Sequence, residues 1–324
     1  MTTVTGVQAR RAIFASWLRR GTVFIILLTL VVFFSLASDR FLQSRNLVNI
    51  LVQNAPVIVM AVGMTMAMLV GGIDLSVGSV AALAGAISAG LIVRDGLSVY
   101  AGMLVGLVVG LAIGLLNGVL VVYGKLPPFV ATLATMGIAR GLTLVYTEGR
   151  PISGMGDAYT FWGSGVVAEV PVPVIVWLVI VALAYLLLTQ TRFGLHVYAI
   201  GGGEETARLA GVAVNRVKLL TYGISGLLAG LAGLLLTARL WSAQPQVAVG
   251  FELNAIAAAV LGGVSLFGGV GSVLGAVVGA LIVGVLGNGM NLLRVASYPQ
   301  QVIQGIVLVL AVAVDMYTKR LENR

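Results

Sequence analysis

One carboxylate stands alone in the most apolar part of this chain. Between Val48 and Val93 the only formal charge is Asp74, inside the run GGIDLS at 71–76. A carboxylate in a hydrophobic run of membrane length costs about 2.5–3.5 kcal/mol on insertion scales, so it needs donors, water or a functional use. Paired glycines before it and Ser76 after it point to broken, closely packed backbone rather than an uninterrupted helix. Two roles are open to Asp74: accepting backbone N–H groups where a helix starts near Leu75, or contacting a gate or a solute. The remaining polar groups in apolar segments are neutral. Asn117, Asn288, Asn291 and Gln304 can hydrogen-bond a hydroxyl-rich solute in passing, or tie helices together, a use worth about 0.6 kcal/mol on average. Together with Asp74 and Ser76 they are the candidates for a translocation pathway or gate. Glu252, which opens a later apolar segment, suits the positive end of a helix.

The elements that must hold these groups are membrane helices. Of 324 residues 59% are hydrophobic and 9% charged, where a soluble domain carries about 25% charged residues. The apolar residues fall in blocks of roughly 20, the length that crosses a bilayer. Such blocks lie near 22–37, 48–70, 77–93, 98–122, 127–147, 172–189, 219–240, 251–267, 270–291 and 298–316. The fold expected is an all-α polytopic membrane protein of about ten transmembrane helices, with broken or re-entrant segments, in one domain over 1–324. Its 43 glycines suit close helix contact in lipid. With no cysteine and one histidine, His196, there is no thiolate site, disulfide or histidine metal cluster. No clustered carboxylates supply an acid–base set, so no catalytic residue is expected.

The net charge of +8 is an orientation signal rather than a nucleic-acid signal. With ten spans both termini share one side, which carries twelve Lys and Arg residues against five on the other; Arg140 and Arg239 fall within spans. The positive-inside rule puts both termini in the cytoplasm. Residues 1–21 then form a cytoplasmic N-terminal segment, 148–171 a periplasmic loop, and 190–218 a cytoplasmic loop. The first span follows four arginines and ends in Ser35-Leu36-Ala37, a pattern shared by signal peptides; an uncleaved anchor is the reading adopted. In the periplasmic loop Tyr159, Phe161 and Trp162 suit an interfacial segment. In the cytoplasmic loop three glycines precede Glu204 and Glu205 at the start of a short helix, where negative charge is favoured. Glu204 and Arg208 are spaced for a surface pair. Ala207, Ala210, Gly211 and Val214 make a small-residue face, fit either to pack against another protein or to lie along the membrane. A local echo joins GGIDLSVGSVAALAG (71–85) to GGVSLFGGVGSVLGA (262–276), and internal repeats are common in transporters.

Four stretches resemble the permease subunits of bacterial ABC sugar importers, from the ribose/xylose/galactoside-type branch whose superfamily also holds branched-chain amino-acid permeases. They are GGIDLSVGS (71–79), GGGEETARLAGVAVNRVK (201–218), ELNAIAAAVLGGVSLFGGVGSVLGA (252–276), and NGMNLL with SYPQQVIQGIVLVLAVAVD (288–315). Gly203 stands where such permeases usually have Asn, and glycine is only a modestly weaker cap. The resemblance implies a type II importer-like permease in the inner membrane, working with cytoplasmic ABC ATPase subunits, a periplasmic sugar-binding protein and a second permease subunit, a homodimer being expected. ATP and magnesium belong to the ATPase, and this chain needs no cofactor. It has no GxxxxGK[ST] loop. The resemblance also implies that residues 204–213 form the coupling helix, with Glu204, Glu205, Ala207, Arg208 and Gly211 docking the ATPase. The solute implied is a monosaccharide or related polyol. The alternatives are a branched-chain amino-acid or nucleoside ABC permease and an ion-coupled secondary transporter, which would need intramembrane carboxylate or histidine relays.

Overall fold

The computed structural model describes residues 23–322. The expected 1–21 segment, with its four arginines, lies outside the described residues, and so does the terminal Arg324. Helices form at all ten apolar blocks. They are α1 (Val23–Ala37), α2 (Ser44–Leu69), α3 (Val77–Val93), α4 (Val99–Val122), α5 (Pro128–Thr147), α7 (Val172–Gln190), α10 (Val214–Leu240), α11 (Phe251–Leu261), α12 (Val273–Leu292) and α13 (Ser297–Glu322). Between them lie α6 (Asp157–Ser164), α8 (Arg192–Gly202) and α9 (Glu204–Leu209). Six of these helices, α2, α4, α5, α7, α10 and α12, are long and apolar enough to cross a membrane; α1, α3 and α11 are shorter apolar helices. The block expected at 251–267 ends as helix at Leu261, because Gly263 takes a left-handed φ of 83° that stops the helix there.

Helices α2 and α10 run through the centre, and their middles are buried almost all round. Around them α4 shows how glycine sets the packing. Its buried residues are Gly102, Gly106, Gly110, Gly114, Asn117 and Gly118, so glycine recurs at every fourth position of one face. That face lies on α10: a Cβ on Gly110 would overlap the Gly226 carbonyl, and one on Gly114 the Tyr222 carbonyl. Small residues let backbones approach where lipid gives helices no hydrophobic reason to associate. The opposite face of α4 exposes Tyr100, Leu104, Val108 and Leu116, apolar groups suited to lipid.

The bundle has two distinct ends. At one, β1 (Ile152–Ser153) pairs antiparallel with β4 (Ser242–Ala243), joining the loops after α5 and α10; β2 (Val166–Val167) and β3 (Val170–Pro171) form a small hairpin nearby in sequence. Here α6 packs Gly163 against the backbone of Ala238 and Arg239. Tyr159 is wholly buried beside Ala89, Leu234 and Ala238, so it is not at an interface, while Phe161 is exposed. At the other end α2 stops, α3 starts, and α8 and α9 cross the bundle.

Candidate functional site

The break between α2 and α3 folds around Asp74. Helix α2 ends in a glycine motif: Gly71 takes φ 77°, its N–H donates to the Met68 carbonyl (2.9 Å), and the Gly72 N–H donates to the Ala67 carbonyl (2.9 Å). This is the pairing that satisfies orphan carbonyls at a helix C-terminus. Asp74 then accepts from the Ser76 N–H (3.0 Å) and hydroxyl (2.6 Å), the Ser225 hydroxyl of α10 (2.7 Å) and the Asn117 amide of α4 (3.4 Å). Asn117 also donates to Ser76 Oγ (2.9 Å) and accepts from Thr135 of α5 (2.6 Å), while Thr132 donates to the Ile73 carbonyl (3.1 Å). Asp74, Asn117 and Thr132 have no exposed surface. The carboxylate is thus held by donors from its own turn, α4 and α10, with α5 joined to the group through Asn117, and it has no ion pair among the described residues. Helix α3 begins at Val77 and its N-cap is Ser76, so Asp74 caps no helix directly; it closes the turn before the cap. Of the site residues foreseen, Asp74, Ser76 and Asn117 therefore come together. Ser225 and Thr135 were missed, being small hydroxyls that leave no mark in an apolar helix.

The other neutral candidates lie apart. Asn288 exchanges reciprocal amide hydrogen bonds with Asn46 (3.0 Å each), tying α12 to α2. Asn291 accepts from Gln300 (2.8 Å) at the start of α13. Gln304 alone of the six lines a cleft, of about 430 Å³, between α11, α12 and α13. Its polar neighbours there are Asn254 and Gln301, and its apolar walls include Phe251, Val283 and Leu286.

That cleft owes one wall to a re-entrant segment. Helix α10 climbs beside α3: Ser225 meets Asp74, a Cβ on Gly233 would meet Ala81, and one on Gly85 would meet Thr237. After Leu240 the chain turns back, and by Ala248 it lies against Gly78, near the foot of α3. Gly78 stands opposite the part of α10 near residue 229, so the chain has descended about 16 Å at 1.5 Å per helical residue. Residues 244–250 therefore descend from β4 as irregular backbone to about halfway down the bundle, and α11 completes the descent as a half-length helix. Irregular backbone at such depth is tolerated where it is buried in protein or lines a cavity.

At the foot of the bundle three glycine-rich segments meet. The Gly269 N–H, in the turn between α11 and α12, donates to the Leu69 carbonyl at the end of α2 (3.0 Å). A Cβ on Gly201, near the end of α8, would overlap both that carbonyl and the Gly269 nitrogen. Tyr198 of α8 donates to the Gly271 carbonyl (2.9 Å). So α8 rests on both broken-helix turns, backbone against backbone. Gly203 then leads into α9.

Helix α9 is shorter than the 204–213 expected. It stops at Leu209 because Gly211 adopts φ 81°, and Val214 already belongs to α10. The small-residue face therefore does not exist as one surface: Ala207 and Val214 point inward, while Ala210 and Gly211 are exposed. Outward lie Glu204, Glu205, Arg208 and Leu209, the last 82% exposed. Leu209 was missed; a lone leucine among charges was the available signal. Arg208 pairs with Glu204 (3.1 Å) and Glu205 (3.8 Å), and Lys218 of α10 donates to Glu204. The Lys218 hydrogen bond, with help from Arg208, holds the Glu204 carboxyl below its ordinary value.

Known proteins are similar in sequence to this chain along most of its length. The ribose import permease protein RbsC of Bacillus subtilis (strain 168) is 47% identical over 310 residues, covering 95% of this chain and 96% of that protein. The D-allose transport system permease protein AlsC of Escherichia coli (strain K12) is 40% identical over 300 residues, 92% of each chain. The L-arabinose transport system permease protein AraH of the same organism is 42% identical over 262 residues, 80% of this chain and 79% of that one. No solved structure matches. The model of the family described as branched-chain amino acid transport system / permease component matches residues 46–312, from the start of α2 through most of α13, and the chain belongs to that family.

Proposed function

We propose that this chain is the membrane-spanning subunit of an ATP-driven sugar importer of the type II ABC kind. The observation that carries the reading is the glycine junction: an exposed helix, α9, is joined through Gly201 to both broken-helix turns. Such a construction passes the movement of a docked protein directly into the membrane helices, with no catalytic group required. Glu204, Glu205, Arg208 and Leu209 are the surface offered to a cytoplasmic ABC ATPase, which holds the ATP and magnesium; Ala207 seats α9 on the bundle and Gly211 ends it. The strand end, with α6, faces a periplasmic binding protein. Both termini are then cytoplasmic in the inner membrane, and α1, α3, α13 and the pair of segment 244–250 with α11 add to the six long helices to make ten crossings. A second copy of the chain completes the path.

The matched relatives are named for ribose, allose and arabinose, all neutral and rich in hydroxyls. The cleft of Asn254, Gln301 and Gln304 offers amides and no charge, a lining suited to passing such solutes without holding them. Asp74, Ser76 and Asn117 set the shape of the adjoining helix break. The test is uptake of labelled ribose into vesicles holding the permease with its ATPase and binding protein. Uptake that requires ATP is expected. Uptake of leucine instead of any pentose or hexose would move the chain to the amino-acid branch, and uptake driven by a proton gradient without ATPase would overturn the reading.

A further inference from the structure

Arg140 lies well inside α5, whose other residues from Pro128 to Thr147 carry no charge. An arginine at such a place is costly and rare, and its partner tells its use. Here the guanidinium does not pair with a carboxylate. Its Nη1 donates to the carbonyls of Pro245 (2.7 Å) and Val247 (3.0 Å). Glu252 acts on it through space, but the two form no ion pair. Both carbonyls belong to the re-entrant segment, which cannot satisfy itself as a helix: Pro245 has no N–H, and Ala248 and Gly250 take φ of 58° and 82°. Buried carbonyls without donors are expensive away from water, and Arg140 supplies the donors. The segment ends in Val249 and Gly250, which with Phe251 wall the cleft that Gln304 faces.

We infer that Arg140 is a positioning residue of the solute path. It fixes segment 244–250, and through it one wall of the cleft, without touching the solute. The inference rests on reading that cleft as the path. Segment 244–250 cannot leave its place without breaking both charge-assisted bonds, so the guanidinium sets how far the wall stands from Gln304. Lysine would keep the charge but lose the rigid planar group that serves two carbonyls together.

The test uses the complex with its ATPase and binding protein in vesicles, carrying Arg140→Gln or Arg140→Lys. Two quantities are read per assembled complex: sugar imported per ATP hydrolysed, and the rate at which a thiol reagent labels Val249→Cys, the chain being free of other cysteines. For Arg140→Gln, uptake per ATP should fall about tenfold or more, the scale expected for losing a charge-assisted hydrogen bond, and labelling should accelerate. Arg140→Lys should fall between. Unchanged uptake per ATP overturns the inference whatever the labelling, and unchanged labelling overturns it whatever the uptake. If Arg140→Gln does not assemble, Arg140→Lys decides by the same two readings. Failure of the sugar-importer reading is distinguishable, because the unaltered complex would then import no monosaccharide.

Discussion

Two turns of similar sequence interrupt this bundle, at 70–76 and 262–272, and they solve one problem by different means. Each follows a helix that ends in the same glycine motif. Gly71 and Gly263 are both left-handed; the Gly72 N–H returns to Ala67, and the Val264 N–H to Ala259. Each then carries a side chain that accepts the N–H two residues on: Asp74 from Ser76 (3.0 Å), Ser265 from Phe267 (3.3 Å). There the likeness ends. Asp74 draws in Ser225, Asn117 and, through Asn117, Thr135, so its turn is bonded to three other helices. Ser265 has no such circle; its turn is closed by its own backbone, including a bond from the Ser265 N–H to the Val270 carbonyl (2.9 Å). It runs through Gly268, Gly269 and Gly271, all with positive φ. One turn is anchored by buried polar side chains, and the other is shaped by glycine and free to lean on α8. The contrast separates a turn tied to its neighbours by side chains from one tied to them through its own backbone, within a single pair of related turns.

The largest effect should come from removing the anchor. Asp74→Leu leaves the donors of Ser76 and Ser225 without their acceptor in a buried site, where each unsatisfied group costs about 1–3 kcal/mol. Folded protein recovered in detergent should collapse, whereas Asp74→Asn, which keeps an acceptor oxygen, should be recovered in part. Equal recovery of Asp74→Leu and unaltered protein would show that the two turns are not different in kind.

A smaller and different effect is expected at the second turn. Gly269→Val forces a branched side chain into a left-handed conformation, at about 1–2 kcal/mol, and pushes it against Gly201 and Gly202. The protein should still fold and bind its ATPase, but ATP-driven uptake should drop out of step with ATP hydrolysis. Gly202→Val is the control, since a Cβ there meets nothing within 4 Å. If both variants couple normally, the junction carries no movement.

The smallest effect concerns the outward helix that leans on this junction. Glu204 has a depressed carboxyl pKa, so its tie to Lys218 and Arg208 is fully present above the ordinary value of 4.5 and is lost only as pH falls through the lower folded value. Binding of the ATPase should be flat from neutral pH down to the ordinary value, as far as this group is concerned, and weaken below it. In Glu204→Gln that acid limb should shrink. A weakening that begins well above 4.5 would mean that another group controls docking.

Much of this was readable in the sequence, and the rest failed for physical reasons. The apolar blocks, the break at 71–76 and the echo at 262–276 all appear where composition and glycine pairs put them, and the solitary charge of Asp74 did mark a polar centre. Its partners stayed hidden because Thr135 and Ser225 differ from alanine by little in hydropathy. Segment 244–250 falls between the blocks 219–240 and 251–267, and depth in a bilayer has no periodicity to betray it. The echo aligned Gly72 with Gly263, one residue away from the structural match of Gly71 with Gly263. For α9 the helical spacing was sound as arithmetic, yet a single left-handed glycine ended the helix before the pattern could matter.

The glycine stripe of α4 carries a consequence for how this chain can vary over generations. Glycine is the smallest residue, so every missense change at Gly110 or Gly114 adds atoms where the α10 backbone already stands. Tolerance at these positions cannot be won by conservative exchange, and a compensating change would have to shorten a neighbour that is itself glycine, Gly226 or Gly230. Inherited loss of function should therefore accumulate along this seam.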